Sequence, residues 1–183
     1  MKKTVLTFGL IAGVMISVLM DGSLLLANKI SSIHSMLLGY TMMVASFMLV
    51  YFGIRSYRDN TLDGEISFGR AFSCGILITL ITTVFYVATW EIIYFNFIPH
   101  FMDSYWAAQI HKVQASGLDP AKIARQVAAI EQSQQLYQNP FVNMAYTFIE
   151  PLPVGLIITL ISAAVLRRKA PQGTTAAAAV MNT

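Results

Sequence analysis

Four long apolar runs dominate the chain, and polar segments of unequal length separate them. The runs cover residues 4–27, 33–54, 71–98 and 141–166. A helix that crosses a bilayer needs roughly 20 consecutive apolar residues, so each run is long enough to span a membrane. The pattern predicts an all-α protein: an integral membrane four-helix bundle that forms a single membrane domain over residues 1–169.

The polar segment of residues 99–140 is long for a connector, which indicates that it has secondary structure of its own. "DSYWAAQIHKVQAS" is compatible with a helix that ends at Gly117. Asp119 followed by Pro120 is a typical helix start. The next helix then carries an apolar stripe at helical spacing, formed by Ile123, Val127 and Ile130. We therefore expect an extracytoplasmic helical hairpin, which either packs on itself or offers this stripe to a partner protein.

The positions of Lys and Arg predict the orientation, because these residues favour the cytoplasmic ends of spans. In a four-span chain, eight cations fall on one side: Lys2, Lys3, Arg55, Arg58, Arg70, Arg167, Arg168 and Lys169. The other side has Lys29 in a short loop and three cations far out in the long one. Both termini are therefore predicted to be cytoplasmic, in a bacterial inner membrane. The first run starts like a signal peptide, but it is long and lacks an A-x-A cleavage site, so we expect a retained span.

Composition supports the membrane assignment and excludes several classes of function. Only 11% of the residues are charged, against about 25% in soluble domains. The net charge is +3, and the cations sit at the ends of the apolar runs, where membrane topology explains them. The lipid bilayer is therefore the expected partner, and nucleic acid is not. A single cysteine, Cys74, excludes an internal disulfide and a cysteine-based zinc cluster. The low-complexity tail at residues 170–183 is predicted to be disordered and cytoplasmic.

Small residues recur at spacings of four in the first run and mark a face for close helix packing. They are Gly9, Gly13 and Ser17, and Gly155 begins a similar row in the fourth run. The contact lies either within the bundle or between copies of the chain. The sequence leaves open a homo-oligomer and a membrane protein partner.

Three acids fall in or at the ends of the runs: Asp21, Glu91 and Glu150. At about 1.5 Å per residue they lie about 25, 30 and 24 Å from the inner edge, close to one level near the outer surface. Either they reach water there and have a structural role, or they converge as a cation or proton site. Pro151 and Pro153 follow Glu150 at once and predict a kinked entry to the fourth span. Aromatic residues at the same level, including Trp90 and Tyr94, are typical of an interfacial belt.

No metal, cofactor or catalytic residue is expected. His34, His100 and His111 lie on the outer side, but no pair has the spacing of a helical metal motif. The chain also lacks G-x-S-x-G, H-E-x-x-H, P-loop and dinucleotide-binding patterns, so we expect a protein that is not an enzyme. The expected role is structural, accessory or protein-interacting. The alternative is a small cation- or proton-coupled transporter or channel component that uses the three acids.

Three segments resemble the bacterial domain of unknown function 4199 family. They are "YFGIRSYRDN…DGEISFGRAFSCGILITLI", "YFNFIPHFMD" and "NPFVNMAYTFIEPLPVGLIITLISAAVLRRK". The resemblance covers roughly residues 3–169 and implies a small four-span membrane protein without an established activity, so it assigns no catalytic residue. His100 departs from the family pattern, which more often has an acid after this proline.

Overall fold

The structure is a computed structural model that describes the backbone of residues 1–27 and 32–168 and the side chains of residues 1–24 and 37–168. The helices of this part are α1 (Lys2–Ala27), α2 (Ser32–Thr61), α3 (Phe68–Asn96), α4 (Asp103–Gln114), α5 (Pro120–Tyr137), α6 (Pro140–Ile149) and α7 (Pro151–Leu166). The all-α class is confirmed. The predicted disordered tail, Lys29 and Lys169 lie outside the described residues, as does the side chain of His34.

Four stretches of helix are long and apolar enough to cross a membrane: Lys2–Leu24, Leu37–Thr61, Phe68–Asn96 and Pro140–Leu166. They correspond to the four apolar runs, which confirms that the fold class is that of a four-span membrane protein. Helix α2 continues through Thr61, so Arg55 and Arg58 lie on its last turns and not in a loop. The chain divides into two compact units. Unit 1 comprises Met1–Thr83 and Leu152–Thr183, and unit 2 comprises Val84–Pro151.

Close approach between helices organises unit 1. A Cβ added at Gly75 of α3 would lie 2.8 Å from side-chain atoms of Ile54 on α2 and Thr159 on α7. One added at Gly155 of α7 would overlap the side chain of Thr79 on α3. The hydroxyls of Thr79 and Thr159 are fully buried and lie 3.0 Å apart, within hydrogen-bond distance. Thus glycines on α3 and α7 allow these helices to pack closely against each other and against α2.

Helix α1 contributes its small residues to the same unit. A Cβ added at Gly9 would lie 2.9 Å from the side chain of Ile81 on α3. Gly13 is buried, and its carbonyl accepts a hydrogen bond from the Ser17 hydroxyl at 3.0 Å. A neighbouring face of α1 exposes a row of large apolar side chains, as a lipid-facing surface does: Leu6, Leu10, Val14 and Val18.

The polar end of unit 1 is closed by a backbone pair between the α2–α3 loop and the residues after α7. Ile66 and Arg168 exchange two hydrogen bonds, with N···O distances of 3.1 and 2.9 Å. The Arg58 guanidinium, which also pairs with Asp59, donates to the carbonyl of Leu166 at 3.4 Å. The bond from Arg58 satisfies a carbonyl that the end of α7 leaves without a partner in its own helix.

Unit 2 contains the second half of α3, the α4–α5 hairpin and α6. Gly117 has φ +68 in the hairpin turn, a conformation that glycine adopts without steric cost. Asp119 then caps α5 by accepting from the backbone N–H of Ala121 at 2.9 Å. Asn139 caps α6 in the same way through Phe141. The helical hairpin predicted for this segment is confirmed, and neither α4 nor α5 has a buried residue among those described.

Candidate functional site

The site begins at an interruption one residue long between two helices. Helix α6 ends at Ile149 and α7 begins at Pro151, while Glu150 between them keeps helical dihedral angles (φ −63, ψ −54). Pro151 and Pro153 have no N–H, so the carbonyls four residues earlier receive no helical hydrogen bond from them. The prolines thus interrupt the fourth apolar run at Glu150, as the sequence indicates.

A cavity of about 300 Å³ opens in unit 2 beside Glu150. Its walls come from α3, α5, α6 and the segment before α4, with the lining residues Tyr86, Trp90, Met102, Tyr137, Tyr146, Thr147 and Glu150. Four of these residues are aromatic. Glu150 is the one lining residue with a carboxyl group, so the cavity has a single acid in a largely aromatic wall.

Glu150 is oriented by a residue from α3. The Tyr86 hydroxyl donates a hydrogen bond to Glu150 Oε2 at 3.0 Å. A hydrogen bond to an ionised acceptor is stronger than one between neutral groups. The bond holds the carboxyl group at the cavity wall, and the two residues are 64 positions apart in the chain.

Asn143 on α6 holds the aromatic wall in place. This residue is fully buried. Its Oδ1 accepts from Trp90 Nε1 and from Thr147 Oγ1, each at 3.1 Å, and its Nδ2 donates to the carbonyl of Tyr137 at 3.3 Å. Sequence reasoning missed Asn143. The available signal was an amide in an apolar run, because a buried polar group needs partners.

A second cavity of about 330 Å³ lies against the same wall. Its lining residues are Met102, Tyr105, Trp106, Ser133, Tyr137 and Tyr146, three of which also line the first cavity. The indole Nε1 of Trp106 is buried and has no hydrogen-bond partner within the described residues. Partial burial raises the pKa of the Tyr137 phenol, so this shared side chain stays neutral at physiological pH.

The aromatic rings that line the cavities also pack against one another and against Tyr94. Trp90 stacks on Tyr94 with centroids 5.7 Å apart, and Tyr137 meets Tyr94 edge-on at 5.5 Å. Tyr94 is fully buried. Tyr94 therefore does not face the membrane interface, contrary to its interpretation as part of an interfacial belt, and its hydroxyl accepts from Gln138. Trp90 is half-buried, and its indole N–H donates to Asn143 inside unit 2. Phe97, which is 74% exposed, still fits a belt.

The three predicted acids have different environments. Glu150 lies at the first cavity, whereas Asp21 and Glu91 line neither cavity. Asp21 is exposed on α1 in unit 1. Glu91 is only 9% exposed, and neither of its carboxyl oxygens has a hydrogen-bond partner in the described part of the chain.

No three His, Cys, Asp or Glu side chains come together as metal ligands among the described residues. His100 Nδ1 lies 2.9 Å from Asp103 Oδ2 at the start of α4, and both side chains are exposed. His111 is exposed on α4. The candidate binding site is therefore the aromatic wall with its single carboxyl group. Such a wall suits a positively charged ligand, since the faces of Trp and Tyr rings attract positive charge.

Comparison with known proteins places the chain in a family. No curated protein and no solved structure matches it. A family model described as "Protein of unknown function (DUF4199)" matches residues 7–168. The matched segment begins within the first span and includes the other three spans and both cavities, and it confirms the resemblance seen in the sequence. Since the match covers most of the chain, this protein belongs to the DUF4199 family.

Proposed function

We propose that this protein is a non-enzymatic accessory protein of the bacterial inner membrane that binds a cation at the cavity beside Glu150. The observation that carries the proposal is the composition of the wall. Four aromatic residues and one carboxylate line the cavity, and no Lys or Arg is among the lining residues. A negative group in such a wall favours a positively charged ligand over an anionic or neutral one.

Binding is tested by the thermal unfolding of the purified protein in mild detergent. Chloride salts of sodium, potassium, tetramethylammonium and choline are compared at constant ionic strength. At least one cation should raise the unfolding temperature of the wild type in a saturable way, because a ligand that binds the folded state stabilises it. Glu150→Gln should abolish that increase.

Glu131→Gln is the matched control, since Glu131 is an exposed acid on α5 that lines neither cavity. It should keep the full increase. The proposal fails if no cation stabilises the wild type, or if Glu150→Gln responds as the wild type does.

A second candidate function is a small cation- or proton-coupled transporter or channel component. Glu91 favours it, because its buried carboxyl oxygens have no hydrogen-bond partner among the described residues, and acids within spans often mark ion or proton pathways. In reconstituted vesicles, this candidate predicts a cation- or pH-dependent flux that Glu91→Gln or Glu150→Gln reduces. Absence of flux in wild-type vesicles would exclude transport while leaving cation binding intact.

A homo-oligomer or a membrane protein partner is part of the accessory role that we propose. Gly9 is already in contact with Ile81 within unit 1, so it supports internal packing. The exposed apolar row of α1 is the surface that supports a contact with lipid or with another chain.

A further inference from the structure

The size of the first cavity restricts the kind of cation that can occupy it. Ligand cavities that hold small organic molecules have volumes of about 300–1,000 Å³, and this one has about 300 Å³. A dehydrated metal ion needs several oxygen ligands at about 2.0–2.6 Å. The wall supplies one carboxylate, and one of its oxygens already accepts from Tyr86. The other lining side chains offer only hydroxyl oxygens, whereas carboxylates and carbonyls are the ligands that such ions prefer, so the cavity is poorly matched to a bare metal ion.

The composition of the wall fits an organic cation. An alkylated ammonium ion carries its charge on a carbon-covered surface, so it gives up little hydration and contacts ring faces directly. Tyr86, Trp90, Tyr137 and Tyr146 supply those rings from three different helices, and Met102 adds a polarizable apolar contact. Glu150 supplies the countercharge.

The rings are held in place by the protein itself. Trp90 is stacked on Tyr94, and its N–H is bonded to the buried amide of Asn143. The amide also bonds Thr147 and the backbone of Tyr137. A wall fixed in this way needs little reordering when a ligand binds, and preorganisation of this kind increases affinity.

We propose that the ligand of this cavity is an alkylated ammonium ion, held by the rings of Tyr86, Trp90, Tyr137 and Tyr146 beside the carboxylate of Glu150. This inference rests on the proposed function and adds the chemical class of the ligand. It concerns residues that lie wholly within unit 2.

The test uses the two tryptophans of the chain, each of which lines one of the cavities. In the full-length Trp106→Phe variant, Trp90 is the sole tryptophan. Its emission is excited selectively over that of tyrosine and followed while choline chloride is added at constant ionic strength. We expect a saturable change. The neutral analogue 3,3-dimethyl-1-butanol has the shape of choline without its charge, and it should bind at least tenfold more weakly.

Substitutions at Tyr146 separate the ring from the hydroxyl. Tyr146 is 55% exposed, so replacing it leaves the core of unit 2 in place. Tyr146→Leu should weaken choline binding about tenfold, whereas Tyr146→Phe should stay within about threefold of the wild type. Tyr40→Leu, at an exposed tyrosine of unit 1, is the control and should change nothing.

The outcomes distinguish this inference from the proposed function. If sodium or potassium binds in a Glu150-dependent way and choline does not, cation binding stands and the ammonium assignment is wrong. Equal binding of choline and its neutral analogue would also overturn the assignment, as would an unchanged affinity in Tyr146→Leu. If no cation binds at all, both proposals fail.

Discussion

At the scale of single residues, Asn143 is the side chain that links the helices of unit 2, through hydrogen bonds to α3, α5 and α6. Its side chain bonds a ring on α3, a hydroxyl one turn along α6 and the backbone at the end of α5. All of these partners are polar groups in a largely apolar interior. Loss of the amide would leave them unpaired, and an unsatisfied buried polar group costs about 1–3 kcal/mol.

We therefore expect Asn143→Ala to lower the free energy of unfolding by about 2–4 kcal/mol, through the lost hydrogen bonds and the space left behind. Tryptophan emission during denaturation in detergent measures this, since Trp90 is one of the partners. Asn96→Ala is the matched control. Asn96 is exposed, and within the described part of the chain its side chain bonds only the Ile92 carbonyl of its own helix, so its loss should cost less than about 1 kcal/mol. Equal losses in the two variants would contradict the role of Asn143.

Tyr137 makes the stability of unit 2 depend on pH in the alkaline range. Its pKa is raised by burial, while in the unfolded chain a tyrosine titrates near pH 10. Above about pH 10 the unfolded state loses its proton first, so the contribution of the neutral phenol is present at lower pH and is lost as the pH rises. Tyr137→Phe has no such proton, and its unfolding temperature should fall less steeply than that of the wild type between pH 9 and pH 11. Parallel curves would exclude this contribution.

At the scale of helices, the close contact of α3 with α7 depends on Gly155. A Cβ there would overlap Thr79 and lie 2.9 Å from the Phe47 ring. We expect Gly155→Ala to destabilise the protein by about 1–3 kcal/mol through overpacking, even though alanine favours a helix. At Gly69 a Cβ meets nothing within 4 Å, so Gly69→Ala should be neutral or stabilising. Thermal unfolding of both variants measures the difference. If Gly155→Ala were more stable than the wild type, α3 and α7 could move apart without loss of stability, and the role of Gly155 would be contradicted.

The helices themselves were largely predictable, because their signals are local. Apolar runs gave the four spans, and Asp119 with Pro120 gave the start of α5 within one residue. The cavity was not predictable, because it depends on pairs distant in sequence. Tyr86 and Glu150 are 64 residues apart, and Trp90 and Asn143 are 53 apart. Glu150 was recognised as an unusual acid, but nothing in the sequence indicates which rings surround it.

At the scale of the whole molecule, the charge asymmetry predicts cytoplasmic termini. The described cations of unit 1 lie at the start of α1, the end of α2, the start of α3 and after α7, as expected for alternating spans with one positive side. A cysteine at Ser116, beside the exposed hairpin turn, should react with a membrane-impermeant maleimide added outside spheroplasts. A cysteine at Asp63 should react only after lysis, and the native Cys74 is buried. The reverse pattern would overturn the orientation.

The backbone pair between Ile66 and Arg168 determines how far the chain can be shortened. The family match ends at residue 168, the residue that completes the pair. A stop codon after Arg168 keeps both bonds, whereas one after Leu166 removes them and uncovers Ile66, which is only 2% exposed. At about 1 kcal/mol for each bond, the shorter form should unfold several degrees lower and accumulate less in cells. Fusion partners and affinity tags therefore belong beyond Arg168, where they leave this closure intact.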